Sequence, residues 1–138
     1  MTRLVVDASV MGPLLFEDEA ESLIATLPQA LADGDCIVPE HWRFEVANQI
    51  LVGTRRGRAT PDEADIMLAA MAALPMSVDR DSIDQVWWKT YQLAAAHNLT
   101  IYDAAYLELA LRLGVPLATF DKALINAAYE CGITAITA

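Results

Sequence analysis

Leu4-Val5-Val6-Asp7-Ala8-Ser9 is the stretch that decides how this chain is read. Three apolar residues, two of them β-branched, stop at a carboxylate, and a small and a hydroxylated residue follow. A short apolar run bounded by polar residues reads as a buried strand. In an open α/β sheet, ligands sit beyond the carboxyl ends of the strands, where Asp7 falls. Asp7 is therefore either the N-cap of the next helix or part of a site.

Working outward, the same short apolar run recurs. Cys36-Ile37-Val38 follows the turn Asp33-Gly34-Asp35, Met76–Val78 follows Pro75, Val115–Thr119 follows Gly114, and Ile133–Ile136 follows Cys131-Gly132. Helical spacing fills the intervals: Val10 to Phe16, then an acidic start at Glu17-Asp18-Glu19-Ala20-Glu21 running to Ala32, then Pro39 to Arg56. Thr60-Pro61-Asp62-Glu63 is a capping box opening a helix to Ala73. Asp81 or Ser82 starts a long helix to His97, Thr100 or Tyr102 starts one that Gly114 stops, and Asp121 starts one to Glu130. Strands alternating with helices predict an α/β three-layer sandwich around a parallel five-stranded sheet, as a single domain over residues 1–138.

Composition narrows the function. The 138 residues are 55% hydrophobic, which argues against disorder, and no apolar run is long enough to span a bilayer. Met1 leads straight into the first strand with no leader. Cys36 and Cys131 lack metal-ligand spacing and read as small core residues, so a reduced, cytoplasmic protein is expected. The net charge of −10 disfavours non-specific attraction to nucleic acid. Arg55, Arg56 and Arg58, around Gly57, are the exception: a solvated helix end or an RNA contact.

Three further acids share Asp7's setting. Asp121 follows strand 4, Asp103 lies in the first turn of an alanine-rich helix, and Glu45 lies one turn into the helix after strand 2. The carboxyl ends of a parallel sheet can gather all four. Two carboxylates about 4 Å apart repel by roughly 4 kcal/mol at an effective dielectric of 20, so four require protonation or a cation. An all-oxygen donor set suits Mg²⁺ or Mn²⁺. The reaction class that follows is metal-assisted phosphodiester hydrolysis.

Val5-Val6-Asp7-Ala8-Ser9, Pro39 through Glu45-Val46-Ala47-Asn48, Tyr102-Asp103-Ala104-Ala105-Tyr106-Leu107 and Leu117-Ala118-Thr119-Phe120-Asp121-Lys122 resemble the successive motifs of the PIN-domain ribonucleases. Within that family the likeness is to the VapC toxins of toxin–antitoxin pairs. The resemblance implies that Asp7, Glu45, Asp103 and Asp121 hold one or two Mg²⁺ or Mn²⁺ ions, with Ser9 and Thr119 lining the same pocket. It implies a strand order of 3-2-1-4-5, with Asp7 and Asp121 at the switch point. It also implies cleavage of single-stranded or loop RNA, commonly tRNA or rRNA, a homodimer, and silencing by a small VapB-type DNA-binding antitoxin.

Other residues keep two readings. Ser9 is an N-cap or a supporting hydrogen bond. Asn48, one turn beyond Glu45, orients it or is a surface amide. His41, one turn before Glu45, has no assigned role, and His97 is a polar residue at a helix end. Trp87 and Trp88 cannot both face inward, so at least one is expected in the core and the other on a base or an interface. Two competing functions are an aspartate-based phosphotransfer or phosphatase domain and a non-catalytic PIN-like binding protein. Ser9, where a phosphatase of that kind would carry a second aspartate, and Lys122, directly after Asp121, both fit the first poorly.

Overall fold

A computed structural model describes residues 3–138; Met1 and Thr2, on which the reading of the chain's start rests, lie outside the described residues. Five parallel strands form one sheet in the order β3-β2-β1-β4-β5. They are β1 (Leu4–Val6), β2 (Cys36–Pro39), β3 (Ser77–Asp79), β4 (Leu117–Ala118) and β5 (Ala135–Ile136). The central strand pairs Leu4 with Cys36 and Val5 with Ile37 on one side. On the other side it pairs Val5 with Leu117 and Val6 with Ala118. Chain order reverses between β1 and β4, which makes their carboxyl ends the switch point of the sheet.

The helices are α1 (Gly12–Leu15), α2 (Leu27–Ala32), α3 (Trp42–Arg55), α4 (Pro61–Ala73), α5 (Ser82–Gln85), α6 (Tyr91–His97), α7 (Ile101–Leu113) and α8 (Lys122–Glu130). α7 is the most buried of them: Ala104 to Ala110 are all sequestered, and its small alanines let it lie close on the sheet. Thr60 accepts from the Glu63 N–H while Glu63 accepts from the Thr60 N–H, completing the capping box of α4. Gly114, at φ +67°, closes α7 in the left-handed region that glycine enters without strain. Among the described residues, no helix is long and apolar enough to cross a membrane.

Several expected boundaries move, each for a local reason. Pro39 ends β2, pairing with Asp79, and does not open α3, which starts at Trp42 after a turn. The helix expected from Glu17 is a 3₁₀ turn over Glu17–Ser22, separate from α2. An α-helix there would stack Glu17 on Glu21 at a repulsive i,i+4 spacing. The long helix to His97 is interrupted by a π turn over Val86–Thr90. That widened turn puts the faces before and after it out of phase. Neither tryptophan is in the core as a result: Trp87 is 79% exposed and Trp88 69%.

Candidate active site

The candidate residues meet at the switch point of the sheet. β1 delivers Asp7 to the carboxyl edge of the sheet, where its backbone N–H donates to the Ala118 carbonyl at 2.9 Å. Asp7 precedes the 3₁₀ turn Ala8–Met11, yet its side chain makes no capping hydrogen bond. Its Oδ2 instead accepts from Ser9 Oγ and from Thr119 Oγ1, each at 2.7 Å. Oδ1 is left clear of both hydroxyls. At 4% exposure the carboxyl is buried. Burial raises its proton affinity above the ordinary range, the two hydroxyls oppose this, and the Asp121 charge adds to it.

Thr119 also binds the start of α8: its Oγ1 accepts from the Asp121 N–H at 3.0 Å. Ser9 Oγ likewise accepts from the Phe120 N–H at 3.0 Å. These two hydroxyls therefore tie the end of β1 to the β4–α8 turn. Asp121 caps α8, its Oδ1 accepting from the Leu124 N–H at 2.9 Å. Among the described residues no side chain or backbone donor engages its Oδ2.

Asp103 stands in the first turn of α7, whose N-cap Thr100 accepts from the Asp103 N–H. Burial first, then the charges of Asp7, Asp121 and Glu45, push its carboxyl from 3.8 up to about 6. The four acids thus share one electrostatic field. Glu45, in the first turn of α3, accepts from Tyr106 Oη at 2.5 Å. Burial raises the Glu45 carboxyl, the Tyr106 bond opposes, and Asp7 adds a further rise. Tyr106 is fully buried. Its phenol therefore ties α7 to the start of α3 through Glu45.

This geometry redistributes the supporting roles. The side chain that holds Glu45 is Tyr106, while Asn48 is exposed and lines a separate hollow with Gln49 and Arg56. The Asp103-to-Tyr106 spacing of three residues on one helix face was the sequence signal for this. Gln49 donates from Nε2 to the Ala8 carbonyl at 2.7 Å, bracing α3 against the turn after Asp7. His41 packs edge-on to Tyr106, ring centroids 5.0 Å apart, with Nε2 3.4 Å from Glu45 Oε1. Burial lowers its pKa, and the buried Nε2 makes no hydrogen bond. Arg58 pairs with Asp18 and Glu19 at 2.8 and 2.7 Å and lies over the Phe16 ring. Arg55 and Arg56 remain exposed at the end of α3.

The donor set is all oxygen, so a hard cation is the group it fits. Among the described residues, no group of three or more acidic, histidine or cysteine side chains is gathered closely enough to hold a metal ion as it stands. Mg²⁺ keeps several waters and takes only one or two carboxylates directly, so it does not require all four acids to converge on it.

Two outcomes follow from these contacts. Tyr106→Phe keeps the buried ring and removes one donor to a carboxylate. It is expected to cost about 1 kcal/mol of stability and to lower divalent-cation affinity about tenfold, as loss of a ligand's supporting partner does. Calorimetric titration with Mn²⁺ checks this. Secondly, Asp7, Glu45 and Asp103 bind protons more tightly folded than unfolded. For Asp103 the folded chain holds the extra proton between pH values of about 4 and about 6, and Asp7 and Glu45 act in the same direction, so metal-free stability falls as pH rises. After solvent screening the Asp103 share is about 1 kcal/mol, or roughly 4 °C in Tm. Thermal melts across that range should slope downward, and less steeply in Asp103→Asn.

The PIN domain family model matches residues 4–129 of the chain. Ribonuclease VapC3 of Pyrobaculum aerophilum is 33% identical over 123 residues, covering 88% of this chain and 92% of that protein. Ribonuclease VapC12 of Mycobacterium tuberculosis is 31% identical over 121 residues, covering 88% of each. A crystal structure of a Pyrobaculum aerophilum protein superposes with a TM-score of 0.71 at 23% identity, covering 98% of this chain and 90% of that one. That last likeness speaks to the fold alone.

Proposed function

The chain belongs to the PIN-domain family, and on that premise we propose that it is a divalent-metal-dependent endoribonuclease acting as the toxin of a type II toxin–antitoxin pair. The observation that carries the reading is the shared field of Asp7, Glu45, Asp103 and Asp121 at the switch point of the sheet. Its relatives named as ribonucleases support RNA as the substrate.

Asp7, Glu45, Asp103 and Asp121 would hold Mg²⁺ or Mn²⁺, which when bound lowers the pKa of a water and stabilises charge on the phosphoryl group. The chain's own residues prepare the site. Ser9 and Thr119 fix Asp7 through Oδ2 and leave Oδ1 free of both hydroxyls. Tyr106 holds one oxygen of Glu45. Asp121 accepts from the Leu124 N–H through Oδ1, which leaves Oδ2 uncommitted among the described residues. This preorganisation removes the reorientation cost that mobile carboxylates would carry.

Arg55 and Arg56 are the candidate contacts to the RNA backbone, on an otherwise acidic chain. Tethering by two exposed cations predicts uniform weakening across RNA sequences in Arg55→Ala/Arg56→Ala, with a shallower salt dependence. A VapB-type antitoxin and a homodimeric state complete the reading. Co-expression decides the biological part: growth arrest on inducing this chain, relieved by the small protein encoded beside it, supports it, and no arrest with active, folded protein counts against it.

A further inference from the structure

At the other end of α8 from Asp121, three side chains stand in the order nucleophile, base, carboxylate. Cys131 Sγ lies 3.4 Å from His97 Nε2, and His97 Nδ1 lies 3.0 Å from Glu130 Oε2. His97 ends α6, Glu130 ends α8, and Cys131 is its C-cap. The nine residues of α8 separate this trio from Asp121 by roughly 13 Å along the helix axis. Glu130 and Cys131 also fall just beyond the residues 4–129 that the family model matches.

The hydrogen-bond partners assign the histidine tautomer. With Nδ1–H donated to Glu130, the Nε2 lone pair faces the thiol. Burial and the Glu130 charge push the Cys131 thiol up, with Lys89 opposing. A standing thiolate is therefore not the source of reactivity; the thiol needs a base as it attacks, and His97 is that base. A hollow of about 360 Å³, lined by His97, Asn98, Asn126 and Glu130 among others, opens on the His97–Glu130 side of the trio, and Cys131 itself is half-buried.

The surroundings restrict the chemistry. The N–H groups of Cys131, Gly132 and Ile133 are all spent on carbonyls of α8, so none is left to hold an acyl oxyanion. Glu130 occupies the second nitrogen of His97, which leaves too few ligands for a metal. Cys36 is fully buried in β2 and offers no disulfide partner. What remains is a small electrophile whose leaving group is discharged by one proton.

We propose that Cys131 is a peroxide-reactive thiol, activated by His97 and Glu130. Sγ attacks one oxygen of hydrogen peroxide, an S–O bond forms and the O–O bond breaks. Sulfur gives up two electrons to the peroxide. His97 Nε2 takes the thiol proton and returns it to the departing hydroxide, so the products are the Cys131 sulfenic acid and water.

The test is a brief peroxide pulse on the full chain, with dimedone trapping and peptide mass spectrometry. The expected result is dimedone on Cys131 and none on Cys36. The rate should fall at least about tenfold in His97→Gln, the lower part of the range for a lost general base, and a few-fold in Glu130→Gln. Glu130 is exposed, so its variant keeps the fold even where His97→Gln does not. An unchanged Cys131 rate in the folded variants, or labelling no faster than that of free N-acetylcysteine in the same buffer, overturns the proposal.

Discussion

Asp7→Asn is expected to lower RNA cleavage by about three orders of magnitude and, in metal-free buffer, to raise Tm. Asparagine keeps the shape, and an oxygen can still accept from Ser9 and Thr119 at the Oδ2 position. What disappears is the charge. Asp7 is buried, and both its burial and its neighbour Asp121 penalise the ionised form. Removing that penalty stabilises the fold, while removing the ligand charge disables the site. Opposite signs for stability and activity mark a functional strain carried in the fold. A thermal melt and a cleavage assay on one preparation read both. A loss of stability with the loss of activity would mean that Asp7 serves mainly as a structural residue.

The second large effect lies on stability alone. Arg112 donates from Nε to Glu108 at 2.8 Å and from Nη2 to Asp79 at 2.7 Å. Asp79 in turn accepts from the Ser82 backbone N–H and hydroxyl, which fastens the start of α5. Burial alone would raise the Asp79 carboxyl; Arg112 and Ser82 more than offset it and hold it low. Glu108 is 2% exposed, so Arg112→Ala leaves a buried carboxylate with no counter-charge. Breaking such a pair costs about 3 kcal/mol, roughly 12 °C in Tm for a chain of this size. Arg112 is nine residues along α7 from Asp103, so cleavage per folded molecule is expected to stay near wild type at low temperature. Urea denaturation and activity below the new transition check the two halves separately.

Much of the fold was legible because the strands are short apolar runs with firm punctuation. Asp7, placed directly after such a run, could be assigned to the sheet edge from sequence, and its alternative role as a cap was decided only by geometry. The order of strands came with the PIN-domain resemblance, not from periodicity. Contacts between distant segments were not legible. Nothing local to Ser9 and Thr119 announces that 110 residues of chain fold to put both hydroxyls on one carboxylate oxygen. Arg58 read as a surface cation because its partners, Asp18 and Glu19, stand about forty residues earlier. Trp87 and Trp88 were misplaced because a π turn breaks the phase that helical spacing assumes.

The most direct test of a metal-dependent ribonuclease centre on these four carboxylates is cleavage of a structured RNA by purified chain under chelation and reconstitution. Cleavage should vanish in EDTA, return with excess Mn²⁺ or Mg²⁺, and stay absent in Asp7→Asn under every condition. Cleavage that persists at its full rate in EDTA, with Asp7→Asn inactive in parallel, would contradict the role of the metal. Cleavage by both proteins alike would contradict the site.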